Sequence, residues 1–457
     1  MKAPILFAAL VVAGCAVGPS YERAQVETPA AFKETGDWVI AQPADAQPKG
    51  RWWEVFNDPV LNGLVEQVSV SNQTLAAAEA RYRQASAAVT GARSGLFPTV
   101  GAGAGASRGR RGEGSTTSSY DIGLDARWEI DLWGRVRRQV EASRAGEQAS
   151  AADLENARLS LQAQLATAYF QLRVADATRE LLEDSVKAFE ASFRIAQNRY
   201  AAGVAAKVDV VQAESQLKSV QAQAIDLRAT RAQLEHAIAV LVGKPPSVFS
   251  LAPERFELRI PEIPPGLPSR LLERRPDVAA AERRMAAANA RIGVAQAAYF
   301  PALSLTGSGG FASGAISTLI SAPSRVWALG AGLAATILDF GARGAEVDSA
   351  RAAYDENVAN YRQAVLVAFQ EVEDNLAAAR WLAEENAVQQ DAARLARESV
   401  VLTVNQYKAG TVGYLAVVQV QATQLAEERQ SVQLLGRRIA STVALIRALG
   451  GDWGQTP

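Results

Sequence analysis

The chain of 457 residues has one cysteine, Cys15, and one histidine, His236. A single thiol excludes an intrachain disulfide and a cysteine-built metal site. A single imidazole, set among coiled-coil positions of a helical pattern, leaves no nucleophile–base pair to assemble, and His236 reads as a packed or surface side chain. Walker loops and nucleophile elbows are missing too. The Gly-Ala-Gly run at 101–105 lacks the strand–loop–helix setting of a phosphate cradle. Glu371, Glu373 and Asp374 lie in a helical run and read as a solvated face. Neither an enzyme, a cofactor nor a metal is expected. Charge of one sign is also lacking: 47 basic against 48 acidic residues give a net charge of -1, which removes the basic footprint of a nucleic-acid partner. After the first fifteen residues no apolar run approaches the roughly 20 residues of a transmembrane helix. Any entry into a membrane beyond an anchor has to be made by strands.

What is present begins with MKAPILFAALVVAGCAVGPSY: one lysine, a short apolar run, then small residues before Cys15. This order reads as a secretory signal over residues 1–14. Val12-Ala13-Gly14-Cys15 resembles a bacterial lipobox, which implies that the Cys15 thiol is lipidated, with palmitate among the acyl chains carried, and that Cys15 becomes the mature N-terminus. An ordinary signal peptide with a chance cysteine is the alternative. Further along, composition divides in two. Glycines cluster at 101–114 and 307–344, while the remainder is rich in Ala, Gln, Glu, Arg and Leu, so two kinds of structure are expected.

Residues 153–200 carry an apolar heptad. Leu161, Leu165, Ala168, Leu172, Ala175, Leu182, Val186, Phe189, Phe193, Ala196 and Tyr200 alternate at spacings of four and three, interrupted at Arg179. The pattern resumes after Gly203 through Val210, Ala213, Leu217, Val220, Ala224, Leu227, Leu234, Ile238 and Leu241, interrupted at Arg231. A repeat near 3.5 residues sustained this long predicts coiled-coil packing. No proline breaks it until Gly243-Lys244-Pro245-Pro246. A second pair of arms runs from about Ala342 to Tyr407 and back to Leu449, with Val418, Leu425, Val432, Leu435, Ile439, Ile446 and Leu449 as a seam. Between the arms of each pair lies one stretch in two copies: NRYAAGVAAKVDVVQ (198–212) and NQYKAGTVGYLAVVQ (405–419), identical at seven of fifteen positions and 207 residues apart. Each reads as the turn of a helical hairpin, with Gly203 and Gly410 suited to a left-handed residue there.

Other segments have a period of two. SYDIGLDARWEI (119–130) places Ile122, Leu124, Ala126, Trp128 and Ile130 on one face and Asp121, Gly123, Asp125, Arg127 and Glu129 on the other. TVGAGAGAS (99–107), ALSLTGSGGF (302–311) and VWALGAGLAATI (326–337) have the same length class, and Trp327, Leu329, Ala331, Leu333, Ala335 and Ile337 share a face. Strands of about ten residues with one apolar face fit a membrane β-barrel. Phe97, Trp128, Trp133, Phe300, Trp327 and Phe340 supply aromatics for its rims. A soluble pair of hairpins is the alternative. Four strands cannot close in lipid, where open edges are not tolerated and the smallest single-chain barrels have about eight strands. Spanning strands therefore require several chains in one barrel.

LPSRLLERRPDVAAAERRMAAANARIGVAQAAYFPALSLTGSGG (267–310) resembles the signature of TolC-like outer membrane factors, and of their lipoprotein branch serving resistance-nodulation-division efflux pumps. WWEVFNDPVLNGLV (52–65), GLDARWEIDLWGRVRR (123–138) and both turns extend the likeness over nearly the whole chain in order. The resemblance implies a mixed, mainly α fold: coiled-coil helical hairpins forming a periplasmic α-barrel, four strands per chain completing a 12-stranded barrel in a homotrimer, and an equatorial collar. The implied divisions are a signal (1–14), an N-terminal and equatorial segment (15–56), a helical stretch (57–98), a first β-hairpin (99–130) and a first long helical hairpin (134–243). An equatorial linker (244–270), a helical stretch (271–300), a second β-hairpin (301–338), a second long helical hairpin (342–449) and a tail (450–457) complete the chain.

By the same resemblance the two turns form a periplasmic tip that gates the channel. Leu415 matches an apolar constriction residue. Gln419 stands where relatives often carry an aspartate, which leaves Asp209 as the acid of the tip. Tyr200, Tyr407, Arg199 and Lys408 are candidates for the contacts that hold the tip shut. Gly203, Val204, Ala205, Gly410, Thr411, Val412 and Gly413 would meet a periplasmic adaptor, and an inner-membrane proton-driven pump would supply energy to an otherwise passive exit duct for small molecules. A type I protein-secretion conduit is a second reading within the same architecture. A structural coiled-coil lipoprotein tether is a third, which leaves the strands and the duplicated turn without a purpose.

Overall fold

The computed structural model describes residues 16–26, 33, 50–110, 112, 114–254, 260–261 and 275–451. Cys15, the signal segment, the tail from 452, and residues 255–259 and 262–274 of the linker region lie outside these. After a 3-10 turn at Trp52–Phe56 come helices α1 (Pro59–Ser71) and α2 (Gln73–Ser94), strands β1 (Thr99–Arg110) and β2 (Thr116–Ile130), and helices α3 (Arg135–Ala201) and α4 (Lys207–Leu241). The second half repeats the order: α5 (Pro276–Ala297), β3 (Ala302–Ser313), β4 (Arg325–Ala334), α6 (Ala342–Lys408) and α7 (Tyr414–Ala448). The repeat is metrical. α3 and α6 each have 67 residues, α4 and α7 each have 35, and each pair starts 207 residues apart (342 − 135 = 414 − 207). Ahead of the strand loops the offset is 203 (276 − 73 = 302 − 99), so the halves differ by an insertion of four around the second β-hairpin. At about 1.5 Å per residue α3 and α6 span about 100 Å each, and α4 and α7 about 50 Å.

The chain separates into two compact units. One comprises Met1–Val26, Glu79–Asp153 and Asp277–Val365, and the other Glu27–Ala78, Leu154–Pro276 and Leu366–Pro457. The first holds the sheet, fully antiparallel in the order β1-β2-β3-β4, built of two hairpins joined side by side at β2 and β3. Its register sets Ala102, Leu124, Gly309 and Trp327 in one row and Val100, Ala126, Gly307 and Leu329 in another, so the apolar sets expected from alternation do share a face. Asp121, Asp125, Arg127 and Glu129 take the opposite face. The last strand ends at Ala334 rather than at 337, because β3, its ladder partner, begins at Ala302 and offers no residue beyond. Trp327 lies at the hairpin end of the sheet, whereas Trp133 stacks on Phe300 (4.8 Å between rings) and donates its Nε1–H to the Pro301 carbonyl (2.7 Å) at the helix end.

An extended N-terminal strap runs along this unit. The Val17 N–H donates to the Trp133 carbonyl (3.0 Å), the Arg138 guanidinium donates to the carbonyls of Val17 and Gly18 (both 3.1 Å), and Asn289 Nδ2 donates to the Pro19 carbonyl (3.1 Å). Arg23 Nε reaches the Tyr361 hydroxyl at 3.0 Å. Two glycines permit the crossing. A Cβ on Gly18 would stand 2.4 Å from the Gly293 Cα, and one on Gly293 would stand 2.8 Å from the Val17 carbonyl oxygen.

The second unit is a helical core. In WWEVFNDPVLNGLV, Trp52, Trp53 and Phe56 are buried, and Phe56 meets Phe170 at 4.8 Å. Asp58 caps α1, accepting from the N–H groups of Val60 (2.9 Å) and Leu61 (3.0 Å), and its second oxygen accepts the Tyr169 hydroxyl at 2.6 Å. The heptad positions Leu161, Leu165, Leu172, Leu182, Phe189, Ala196, Ala213, Leu217, Val220 and Ile238 are buried. Arg231, the interruption in α4, is an ion-pair position. It donates to Asp176 (2.7 Å) and to the Leu251 carbonyl (2.6 Å). Arg173, 2 % exposed, meets the same Asp176 at 3.4 Å and donates to the Ala252 carbonyl (3.0 Å). Burying these three charges is tolerable because each is paired and hydrogen-bonded, and the network fixes the 251–254 segment to the first hairpin.

Candidate functional site: the paired hairpin turns

Both turns close in one way. The Gly203 N–H donates to the Tyr200 carbonyl (2.9 Å) and the Val204 N–H to the Arg199 carbonyl (2.9 Å). In the second copy Gly410 donates to Tyr407 and Thr411 to Gln406, both at 3.0 Å. This pair of bonds, with the glycine left-handed at φ 74° or 79°, is the Schellman closure of a helix C-terminus. A residue with Cβ is disfavoured there by backbone conformation, since nothing lies within 4 Å of the position a Cβ would take on Gly203.

The two turns differ in what covers their tyrosines. Tyr407 is 4 % exposed, lying edge-on to Tyr414 (5.3 Å, 63°) with the Arg199 guanidinium 4.8 Å above its ring. Arg199 also donates to the Lys408 carbonyl at 3.2 Å. One side chain of the first hairpin thus grips both an aromatic ring and the helix end of the second. Tyr200, at the duplicate position, is 45 % exposed and has Lys207 5.7 Å over its ring. The copies differ at both residues that cover Tyr407: Lys207 stands where the second copy has Tyr414, and Gln406 where the first has Arg199. Beneath the rings, Ala196, Ala213 and Val417 form a small apolar cluster, and Gln421 Nε2 donates to the Ser192 hydroxyl across the hairpins (2.9 Å). Burial pushes the Tyr414 phenol up to about 12. Burial also raises Tyr407; the Asp209 carboxylate adds to that rise and Arg199 opposes it. Both rings are neutral across the physiological range.

Of the residues singled out by sequence, Arg199, Tyr407 and the Lys408 backbone meet, with Asp209 close enough to act on both buried tyrosines. Leu415 is 55 % exposed, and Gln419, one helical turn further on the same face, is exposed as well. Neither joins the cluster. Gly203, Val204, Gly410, Thr411 and Gly413 are exposed, while Ala205 is half-buried and Val412 packs partly on the cluster. Tyr414, Val417, Ser192 and Gln421 are contributors that sequence reasoning missed. Tyr414 falls four residues before Val418 in the seam of the return helix, and that spacing was the available signal. Among the described residues no group of three His, Cys, Asp or Glu side chains is placed to hold a metal ion.

The sequence profile of the outer membrane efflux protein family matches residues 64–244 and 267–451. The pyoverdine export outer membrane protein OpmQ of Pseudomonas aeruginosa is 32 % identical over 462 residues, covering 98 % of this chain and 96 % of OpmQ. Among solved structures, the outer-membrane channel OprN superposes with a TM-score of 0.87 at 32 % identity, covering 96 % of this chain and 100 % of OprN. The open state of the MtrE outer membrane channel of Neisseria gonorrhoeae gives 0.84 at 31 % identity, over 96 % of this chain and 98 % of MtrE. The matched proteins are channels and export components rather than enzymes.

Proposed function

The chain belongs to the outer membrane efflux protein family, and on that premise we propose that it is a passive exit duct gated by its own paired hairpin turns. It is the outer-membrane channel component of a tripartite efflux system and extends into the periplasm. In the proposed assembly three copies close twelve strands into one barrel and bring six turns together at the periplasmic tip. The observation that carries the gate is the cross-hairpin grip of Arg199 on Tyr407 and the Lys408 carbonyl. It holds the two hairpins of one chain together in the closed arrangement, and a bound partner that separates them has a defined contact to break.

Leu415 and Gln419 have no cover within one chain, as side chains facing a shared axis require. Three copies of Leu415 would form the apolar constriction, and three of Asp209 would add carboxylates near it. The closed turns at Gly203-Val204-Ala205 and Gly410-Thr411-Val412-Gly413 present small residues and near-bare backbone, a surface that the helical tip of a periplasmic adaptor can approach closely. Energy comes from an inner-membrane proton-driven pump beyond that adaptor. Lipidation of Cys15 fits the strap: the next residue, Ala16, packs where a Cβ on Gly134 would lie (3.0 Å), at the junction of the sheet with α3. An acyl chain starting there would begin at the membrane face.

Planar-bilayer conductance of the purified protein and its Leu415→Gly variant tests the gate. A small or flickering wild-type current that grows in the variant supports it. No current from either, with the protein shown to be inserted, counts against it.

A further inference from the structure

On the apolar face of the sheet, the apolar run ends toward the hairpins at Ala106 in β1, Tyr120 in β2, Phe311 in β3 and Trp327 in β4. The next residues on that face are Arg108, Ser118, Ser313 and Arg325. This border is not perpendicular to the strands. Ala106 lies opposite Tyr120, but Phe311 is opposite Ile122 and Trp327 opposite Gly309, so the border retreats four residues over three strand spacings. At the helix end it runs parallel, from Val100, opposite Ala126, to Leu333, whose row holds Leu303 and Ile130. Four residues at about 3.4 Å against three spacings of about 4.8 Å correspond to a slant of about 45°, the strand tilt of outer-membrane barrels. The slant is therefore a contour of membrane height. Arg108 and Arg325 stand at one level, a single step outside the aromatic border of Tyr120, Phe311 and Trp327, with Arg110 a step beyond.

All three arginines are exposed, and no Asp or Glu stands on this face of any strand; Asp121, Asp125 and Glu129 occupy the other. β1 and β4 are the sheet's edges. A barrel shared between copies joins β4 of one chain to β1 of the next, which brings Arg325 beside a second copy's Arg108 at equal height. Like charges on adjacent strands repel unless an anion lies between them. Below the rim the same face holds an apolar hollow of about 550 Å³ lined by Ala102, Ala104, Ile122, Leu124, Phe311 and Ile320.

We propose that each seam between copies binds a phosphorylated glycolipid of the outer leaflet, its phosphates bridged by Arg108 and Arg325 and an acyl chain in the hollow. The inference rests on the channel reading, which turns this face to lipid and the hairpin ends outward. Guanidinium groups suit the task because their planar fork engages phosphate oxygens in pairs. The test is native mass spectrometry of the detergent-solubilised protein with diphosphoryl lipid A, with its dephosphorylated form, and with diphosphoryl lipid A plus excess inorganic phosphate. Wild type should retain up to three diphosphoryl molecules per trimer, with at least tenfold weaker retention of the dephosphorylated lipid and of either lipid by R108Q/R325Q. Inorganic phosphate should compete only weakly, because it has no chain for the hollow. Equal retention of both lipids by wild type, or unchanged retention by the double variant, overturns the proposal. Complex mass is read in the same spectra. A trimer without lipid discrimination overturns this inference alone, and a chain that stays monomeric throughout overturns the channel reading with it.

Discussion

Arg199→Ala should open the resting channel. Arg199 makes two contacts across the hairpins: the guanidinium over the Tyr407 ring at 4.8 Å and a hydrogen bond to the Lys408 carbonyl at 3.2 Å. At this partly exposed site the cation–π contact is worth about 0.5–1 kcal/mol and the hydrogen bond about 0.5–1.5 kcal/mol. Three copies opening together lose about 3–7 kcal/mol of closed-state preference, to be set against the roughly 5.5 kcal/mol that carries a two-state balance from 1:99 to 99:1. Single-channel recording should accordingly show Arg199→Ala mostly open where wild type is mostly closed. Arg199→Lys, which keeps the charge over the ring but not the planar fork, should fall between. A conductance and open fraction equal to wild type in an intact Arg199→Ala trimer would refute the reasoning, since it would mean that the hairpins are held together by something else.

Other expectations bear on the scaffold. Gly203→Ala and Gly410→Ala should each lower stability by about 1–2 kcal/mol through left-handed backbone alone, read as a modest fall in melting temperature with no new clash. Asp176→Leu removes the carboxylate that Arg173 and Arg231 share, leaving each with one other acid, Glu254 (3.0 Å) and Glu235 (3.5 Å), and should cost about 1–3 kcal/mol in a thermal melt; Asp176→Glu should recover part of it. Tyr407 and Tyr414 have folded pKa values raised above the unfolded phenol, so their contribution is complete below pH 10 and is lost as pH climbs toward about 12. Amide protection near residues 407–417, measured relative to the base-catalysed intrinsic exchange, should fall in that window, and less so in Tyr407→Phe/Tyr414→Phe. Gly293→Val places side-chain atoms where the Val17 carbonyl lies and should free the strap, seen as rapid proteolysis around residues 17–23.

The features most legible in sequence were those with a period. The heptad positions of residues 161–241 are buried or half-buried apart from Tyr200 at the turn, and the alternation at 122–130 is the face the register assigns, because burial on one side imposes periodicity on the chain that folds against it. Glycine at 203 and 410 announced the turns for the same reason of backbone need. What stayed hidden depends on partners far apart in sequence. Arg231 looked like a flaw in a seam until Asp176 and the Leu251 carbonyl stood beside it. Gly18 and Gly293 carry no local pattern, and their meaning lies in a crossing between segments 275 residues apart. Tyr200 and Tyr407 occupy duplicate positions and read alike, yet only one is buried, since its fate is decided by Tyr414 and Arg199. Strand ends were equally opaque: β1 continues through Arg108 to Arg110 because β2 still offers it partners, not because its residues favour strand.

The claim that six paired turns close one pore is tested most directly by thiol block at its narrowest point. Cys15 is the only native cysteine, so Leu415→Cys supplies the sole new thiol. A bulky thiol-reactive cation added to the periplasmic side of a bilayer should reduce the current of a single Leu415→Cys channel in up to three irreversible steps, and leave the parent current untouched. An unchanged Leu415→Cys current, with mass spectrometry showing the thiol fully modified, would contradict the account by placing residue 415 outside the conducting path.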